Sequence, residues 1–186
     1  PKLGLIPFSL FLFQMILVKT FLQKRSTIVL KPRQMGITTV VAAYVLWFAM
    51  FHSYKKVVLL SIKFSTAKAI IKRIQKMYKN MPDFLKEPIV NGSHPEDAGT
   101  ASEIEFKNGS TILAVASSED AARSEAASLI VMDEAAFIAQ ADGIWASAQP
   151  TLSTGGQSII MSTAFGMGNF FHSQWVQALQ GLNRMF

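Results

Sequence analysis

The chain has 186 residues, half of them hydrophobic, and carries a formal net charge of +6 with a sequence pI of about 9.7. This composition excludes an intrinsically disordered chain, and the length suffices for one domain with a sizeable core. The sequence has no cysteine, which excludes disulfides and cysteine-ligated zinc, and its positive charge favours polyanionic partners.

A strongly apolar stretch, residues 3–18, lies at the start of the chain. It is slightly short for a membrane span, which needs roughly 17–25 residues, and Pro7, Ser9 and Gln14 interrupt it. It lacks the basic start and small-residue cleavage site of a signal peptide. We therefore expect no membrane association and predict a helix over residues 11–24 that is buried against a sheet.

The next segment has the pattern of strand, tight loop and helix. An apolar, β-branched run over residues 26–30 precedes the loop Lys31-Pro32-Arg33-Gln34-Met35-Gly36-Ile37-Thr38-Thr39, and a long apolar run follows it. This is the setting of a phosphate-binding loop, because a helix N-terminus offers unpaired N–H groups and a positive dipole end to an anion. Gly36 would let the backbone approach a phosphate closely, and the Thr38 hydroxyl would face Mg²⁺.

This loop departs from the usual pattern at two positions. Lys31 stands where the first glycine is expected, and Ile37 stands where a lysine should follow the last glycine. Ile37 can supply neither a charge nor a side-chain hydrogen bond. Either the loop holds no nucleotide, or a cation from elsewhere replaces the missing lysine.

The remaining chain alternates short apolar runs with helical segments. The run over residues 55–62 precedes an amphipathic segment over 65–79, and the turn signal Asn108-Gly109 joins two further strands. Later strands are predicted at 129–132 and 157–163, with helices around 143–149 and from about 169. The pattern predicts an α/β fold with a mainly parallel central sheet, helices on both faces and an antiparallel hairpin.

Asp133-Glu134 directly follows the apolar strand at 129–132. In a parallel sheet, ligands bind beyond the carboxyl ends of the strands, which places this pair beside the loop at Lys31. The aspartate can hold Mg²⁺ and the glutamate can orient and deprotonate an attacking water. A solvent-facing acidic pair is the alternative, and the upstream loop favours the catalytic interpretation.

Weaker signals accompany these two motifs. The hydroxyls of Ser162 and Thr163 could sense a phosphate or its water at the end of a strand, or simply be polar there. The amide of Gln14 could recognise an adenine edge while Phe13 stacks on the base, or Gln14 could be an ordinary helix residue. Arg123 could neutralise charge on a transferred phosphoryl group, within the subunit or in a neighbour, or pair with nearby acids.

Lysines at 68, 72 and 76 follow one another at helical spacing. Such a stripe could contact DNA phosphates. A solvated helix face is the commoner explanation, and we prefer it here.

The order of these motifs resembles the ATPase domain of the large terminase subunit of tailed bacteriophages, the motor that packages DNA, and most of all the T4 type. The resemblance extends from about residue 10 to residue 175. The matching segments are Phe13-Gln14, Arg33 to Val41, Met81 to Leu85, Asn108 to Ser110, Ala136 to Ile138, Gln149-Pro150 and the coupling motif Ser162-Thr163. Other large terminases carry a deviant loop whose lysine lies five residues before the glycine, where Lys31 stands relative to Gly36. One departure is Ala164-Phe165, in place of a Pro-Asn pair.

The resemblance implies a P-loop NTPase of the additional-strand, RecA-like type. It implies one ATPase domain over residues 1–186, with an N-terminal helix and adenine-binding region at 1–25 and the NTPase core at 26–186. The implied cofactors are ATP and Mg²⁺, with Thr38 and Asp133 as metal ligands. The implied nucleotide contacts are Phe13, Gln14, Lys31, Arg33, Gln34, Met35, Gly36, Ile37, Thr38 and Thr39.

The resemblance also assigns catalytic roles. Lys31 takes the phosphate contact with Arg33 as a second cation, and Glu134 activates water. Arg123 acts in trans on a neighbouring subunit, and Ser162 and Thr163 couple hydrolysis to motion.

The implied function is ATP hydrolysis that drives double-stranded DNA into a procapsid. The implied partners are DNA, other subunits of a homo-oligomeric ring, a portal protein and a small terminase subunit, in the cytoplasm of an infected bacterium. After Glu134 the chain has a single acid, Asp142, so the family's C-terminal nuclease domain and its DNA cleavage are expected to be absent. Two alternatives are a superfamily-2-like helicase or translocase, and a non-hydrolysing nucleotide-binding assembly module.

Overall fold

A computed structural model describes residues 8–92, 98–117, 127–153 and 155–181. The strands are β1 Ser26–Leu30, β2 Lys56–Ser61, β3 Glu103–Glu105, β4 Thr111–Ala114, β5 Leu129–Asp133 and β6 Gln157–Ser162. The α-helices are α1 Leu12–Gln23, α2 Ile37–Phe51, α3 Phe64–Lys79, α4 Ala141–Ser153 and α5 Phe170–Leu179, with short 3-10 helices at Asp83–Leu85 and Ala135–Phe137.

The six strands form one sheet in the order β1-β6-β5-β2-β4-β3. All neighbouring pairs are parallel except β3 and β4, which form the antiparallel hairpin. The strand β6 therefore lies between β1, which leads into the loop at Lys31, and β5, which ends at Asp133. This order confirms the predicted fold class, and β6 is the additional strand between the strand of the loop and the strand of the acidic pair.

Alternate residues of each strand face opposite sides of the sheet, as the pleat requires. In β2, Val57 and Leu59 belong to the core beneath α2 and α3, whereas Val58 and Leu60 belong to the core beneath α4 and α5. Both faces of the sheet are thus covered, which explains why the central strands are apolar without interruption.

The hairpin turn differs in detail from its prediction. Of the two turn residues, Asn108 and Gly109, only Gly109 has a positive φ, of 79°. The Phe106 N–H donates to the carbonyl of Ser110, which makes the loop three residues long. The Asn108 amide instead donates to the carbonyls of Ala49 and Met50 at 2.9 and 3.1 Å. The asparagine therefore fastens the hairpin to the end of α2.

The prediction of a buried N-terminal helix is wrong. Of the α1 residues, only Gln14 and Phe21 are buried, while Leu12 is 70% and Ile16 59% exposed. The reason is that α2 and α3 already cover this face of the sheet, so α1 packs mainly through Phe21, whose ring lies 5.2 Å from that of Tyr44. In the part of the chain that the structure describes, no helix is long and apolar enough to cross a membrane.

Candidate active site

The loop between β1 and α2 curls tightly around the start of α2. The Lys31 N–H donates to the carbonyl of Ser162 at 2.9 Å and so extends the pairing of β1 with β6. Gln34 and Gly36 both take positive φ angles, of 64° and 69°. The positive φ of Gly36 favours glycine, and a Cβ there would also lie 3.0 Å from the Gln14 amide nitrogen, a tight contact that would make the glutamine side chain shift. The N–H groups of Thr39 and Val40 both donate to the carbonyl of Gly36 at 3.0 Å, whereas those of Ile37 and Thr38 precede the first acceptor of the helix and are available to an anion.

The Lys31 side chain crosses the end of β6 and reaches the acids that follow β5. Its Nζ lies 2.6 Å from Oδ1 of Asp133, 3.1 Å from Oε1 of Glu134 and 3.3 Å from Oγ1 of Thr38. Lys31 is only 8% exposed. The strand order makes this possible, because a single strand separates β1 from β5. The structure thus brings together four of the predicted site residues.

Thr38 and Asp133 together offer a pair of oxygen ligands for Mg²⁺. The Thr38 hydroxyl donates to Oδ2 of Asp133 at 3.3 Å, and neighbouring oxygen ligands of an octahedral Mg²⁺ lie about 3 Å apart. Within the described ranges no three His, Cys, Asp or Glu side chains cluster as a metal site. Two protein oxygens completed by phosphate and water are typical of Mg²⁺ in nucleotide sites. The donor set therefore fits the metal.

Glu134 is held in place from both of its carboxylate oxygens. Oε1 contacts Lys31, while Oε2 accepts from the Thr163 hydroxyl at 3.2 Å and from the Thr163 N–H at 3.4 Å. Its backbone is left-handed, with φ 53° and ψ 42°, and its N–H donates to Oδ1 of Asp133 at 2.9 Å. This turn, at the junction of β5 and a 3-10 helix, is of the unfavourable kind that proteins keep at functional sites.

The two predicted coupling residues have different roles in the structure. Thr163 bonds to Glu134 and lines the cavity, whereas the buried Ser162 hydroxyl accepts from the Ala136 N–H at 3.1 Å. Ser162 therefore joins β6 to the segment that follows Glu134, and only Thr163 faces the site.

A cavity of about 560 Å³ is formed by the loop residues 31–39 together with Arg73, Glu134 and Thr163. Arg33 is exposed at this cavity and also lines a small adjoining pocket of about 180 Å³. The Ile37 side chain is buried in the core beneath α2 and α3, so only its backbone is available to a ligand. The cavity combines backbone N–H groups, cations and a carboxylate, which are the groups that bind and act on a nucleoside triphosphate.

Gln14 lies against the loop and is only 3% exposed. Its Nε2 donates to the carbonyl of Met35 at 3.0 Å, and its Oε1 accepts from the Phe11 N–H at 3.1 Å. Phe13 is partly exposed and stacks on Phe11 with ring centroids 5.9 Å apart. Neither Phe13 nor Gln14 lines the cavity, so in this structure the glutamine acts as a tether between α1 and the loop.

Two further arginines are of interest, and one of them was not predicted from the sequence. This residue is Arg73, whose guanidinium donates to Oγ1 of Thr39 and whose side chain lines the cavity. Its only signal in the sequence is that it is the single arginine of the otherwise lysine-rich helix α3. The other, Arg123, lies outside the described residues.

The chain is similar to known proteins both in sequence and in structure. Residues 28–184 match the family of terminase large subunits of T4likevirus type, in its N-terminal part. The large terminase of bacteriophage HK97 has a similar structure, with a TM-score of 0.77 at 15% identity over 95% of this chain and 38% of that one. The large terminase of a thermophilic bacteriophage, in complex with ADP, gives 0.71 at 17% identity over 95% and 44%.

A mutant ATPase domain of the Thermus phage P74-26 large terminase gives a TM-score of 0.67 at 14% identity, over 89% of this chain and 69% of that one. At such identities these likenesses show the fold alone. The chain spans less than half the length of the HK97 protein and of the ADP-bound terminase.

Proposed function

Since the chain belongs to the family of T4-type terminase large subunits, whose N-terminal part it matches, we propose that it is an ATPase that powers DNA packaging. The observation that carries this proposal is the placement of Glu134, which is fixed between Lys31 and Thr163 at a cavity walled by a phosphate-binding loop. Structures of a thermophilic bacteriophage large terminase in complex with ADP and with ATP-γ-S support a nucleotide as the ligand.

In the proposed site the loop backbone and the start of α2 cradle the phosphates of ATP. Lys31 and Arg33 contribute the cations that the loop lacks at Ile37. Thr38 and Asp133 hold Mg²⁺, which when bound supplies charge neutralisation to the phosphates and orders them for reaction. The Thr39 hydroxyl and the N–H groups of the first helical turn complete the cradle.

The ammonium of Lys31 lies between Thr38 and Asp133 in the structure. We infer that it holds the acids together until substrate binds, because two adjacent carboxylates without a cation repel each other. With Mg²⁺ held by Thr38 and Asp133, Lys31 would be free to contact a phosphate oxygen through its long, flexible side chain.

Glu134 is the proposed general base. It accepts a proton from water as the water oxygen bonds to the γ-phosphorus, and the bond to the β-γ bridging oxygen breaks to give ADP and phosphate. Thr163 holds one oxygen of Glu134, so its hydrogen bond changes as the glutamate turns toward water. That change would transmit the state of the nucleotide to β6. Arg123 from a neighbouring subunit is proposed to stabilise the charge of the transition state.

We propose double-stranded DNA as the translocated substrate, with a homo-oligomeric ring, a portal protein and a small terminase subunit as partners. The site of action would be the procapsid portal in the cytoplasm of an infected bacterium. The net charge of +6 is compatible with DNA as a partner. Membership of the terminase family favours this function over the helicase alternative, and a hydrolysis assay separates it from a non-hydrolysing module.

The test is the variant Glu134→Gln, which keeps the size and the hydrogen bond to Thr163 but cannot take a proton. We expect ADP and ATP binding to remain within about threefold of the wild type while turnover falls by at least about 100-fold. The assay should use raised protein concentration, with and without DNA, because a trans arginine requires assembly. Turnover at the wild-type rate in Glu134→Gln would exclude this mechanism.

A further inference from the structure

Arg73 reaches the nucleotide cavity from α3, outside the loop and the two strand ends that carry the other site residues. Its Nη1 donates to the Thr39 hydroxyl, and its side chain lines the cavity beside the loop. Thr39 lies in the first turn of α2, the end of a helix to which anions bind. The hydrogen bond therefore holds the guanidinium at the rim of the region where phosphates are expected.

The charges around the cavity show what Arg73 adds. Lys31 and Arg33 are the cations of the loop, and Asp133 and Glu134 are the acids that face them. These four charges cancel. Without Arg73 the described side chains of the site carry no net positive charge before Mg²⁺ binds, and with Arg73 they carry one.

Arg73 is also available for a further contact. A guanidinium has five N–H donors, and the Thr39 hydroxyl is the partner that the structure gives it. Among the residues described, no carboxylate lies within ion-pair distance of Arg73. Its planar set of donors suits phosphate oxygens, which it can contact in pairs.

We propose that Arg73 is a nucleotide-binding residue that contacts a phosphate group of ATP or ADP from within the same subunit. This inference rests on the proposed function. It differs from the role given to Arg123, which acts between subunits during hydrolysis. Arg73 binds substrate and product alike and does not require assembly of a ring.

The experiment measures ADP binding to the wild-type chain and to three variants by isothermal titration calorimetry. The protein concentration can stay below that of ring assembly, because the proposed contact lies within one subunit. Arg73→Ala is expected to weaken ADP binding about 10- to 100-fold, the effect of one lost hydrogen bond to a charged group. Arg73→Lys keeps the charge but not the planar donors, and is expected to recover part of the affinity. Lys72→Ala is the matched control, because Lys72 is an exposed cation on the same helix that does not line the cavity.

Thermal unfolding of each variant separates ligand binding from a structural brace between α3 and α2. Equal ADP affinity in the wild type and Arg73→Ala would overturn the inference, as would an equal loss in Lys72→Ala, which would point to general charge. A lowered melting temperature with unchanged affinity would identify a brace only. A wild-type chain that binds no ADP would overturn the proposed function itself, an outcome distinct from equal affinities.

Discussion

Lys31→Met tests whether Lys31 supplies the positive charge that the loop lacks at Ile37. Methionine keeps the apolar stem of the side chain and removes only the ammonium. Lys31 Nζ contacts both Asp133 and Glu134, and the side chains of Lys31 and Asp133 are only 7% and 5% exposed. Removal of one member of a buried ion pair typically costs about 3–5 kcal/mol. Glu134 is 29% exposed and can turn toward water, so the lower end, about 3 kcal/mol, is expected.

For a chain of this length, such a loss lowers the melting temperature by about 6–12 °C. Added Mg²⁺ should restore more stability to Lys31→Met than to the wild type, because the metal can replace the ammonium between Thr38 and Asp133. Turnover of ATP should fall by about 100- to 1,000-fold, the range for loss of one transition-state charge contact.

Ile37→Val is the control for Lys31→Met at the position where the usual loop has its lysine. Ile37 is buried in the core, so this small truncation should cost about 1 kcal/mol of stability and leave turnover nearly unchanged. The assays are calorimetric unfolding with and without Mg²⁺ and phosphate release from ATP. Wild-type turnover in Lys31→Met, or an equal loss in Ile37→Val, would refute the reasoning.

Three other variants test neighbouring parts of the account. Arg123→Ala should lower turnover by about 1,000-fold or more with ADP affinity unchanged, and the wild-type rate per subunit should rise with protein concentration; a flat concentration dependence would argue against a trans role. Phe165→Ala removes a ring 4.3 Å from that of Phe137 and should lower stability by about 0.5–1.5 kcal/mol in chemical denaturation, whereas the same change at the exposed Phe84 should have no effect. Tyr44→Phe should cost about 1 kcal/mol by loss of its hydrogen bond to Gln157. Burial raises the pKa of Tyr44, so wild-type stability should fall as pH rises above about 10, and this decline should be smaller in the variant when both are followed by chemical denaturation.

The parallel sheet and its helices could be predicted because short apolar runs without interruption, typical of buried parallel strands, alternate with longer helical segments along the chain. The burial of α1 could not be predicted, since apolar residues at 12 and 16 do not reveal that α2 and α3 already occupy that face of the sheet. An apolar sequence shows that a segment can be buried. Whether it is buried depends on which parts of the sheet the other helices leave uncovered.

The residues of the candidate site were also only partly predictable from the sequence. Local sequence placed Gly36, Thr38 and the pair Asp133-Glu134 at strand and helix ends, because each belongs to one continuous motif. The contact of Lys31 with those acids depends on β6 lying between β1 and β5, which is a property of strand order. Arg73 was missed because its contact with Thr39 arises from the packing of two helices, and no local pattern records that packing.

The most direct test of whether Lys31 replaces the lysine expected at position 37 is a crystal structure of the chain with Mg²⁺ and ATP-γ-S. We expect the Lys31 Nζ to leave Asp133 and to lie about 2.7–2.9 Å from a β- or γ-phosphate oxygen, with Thr38 and Asp133 beside the metal. A structure in which Lys31 stays on Asp133 while another cation contacts those phosphates would contradict the central claim.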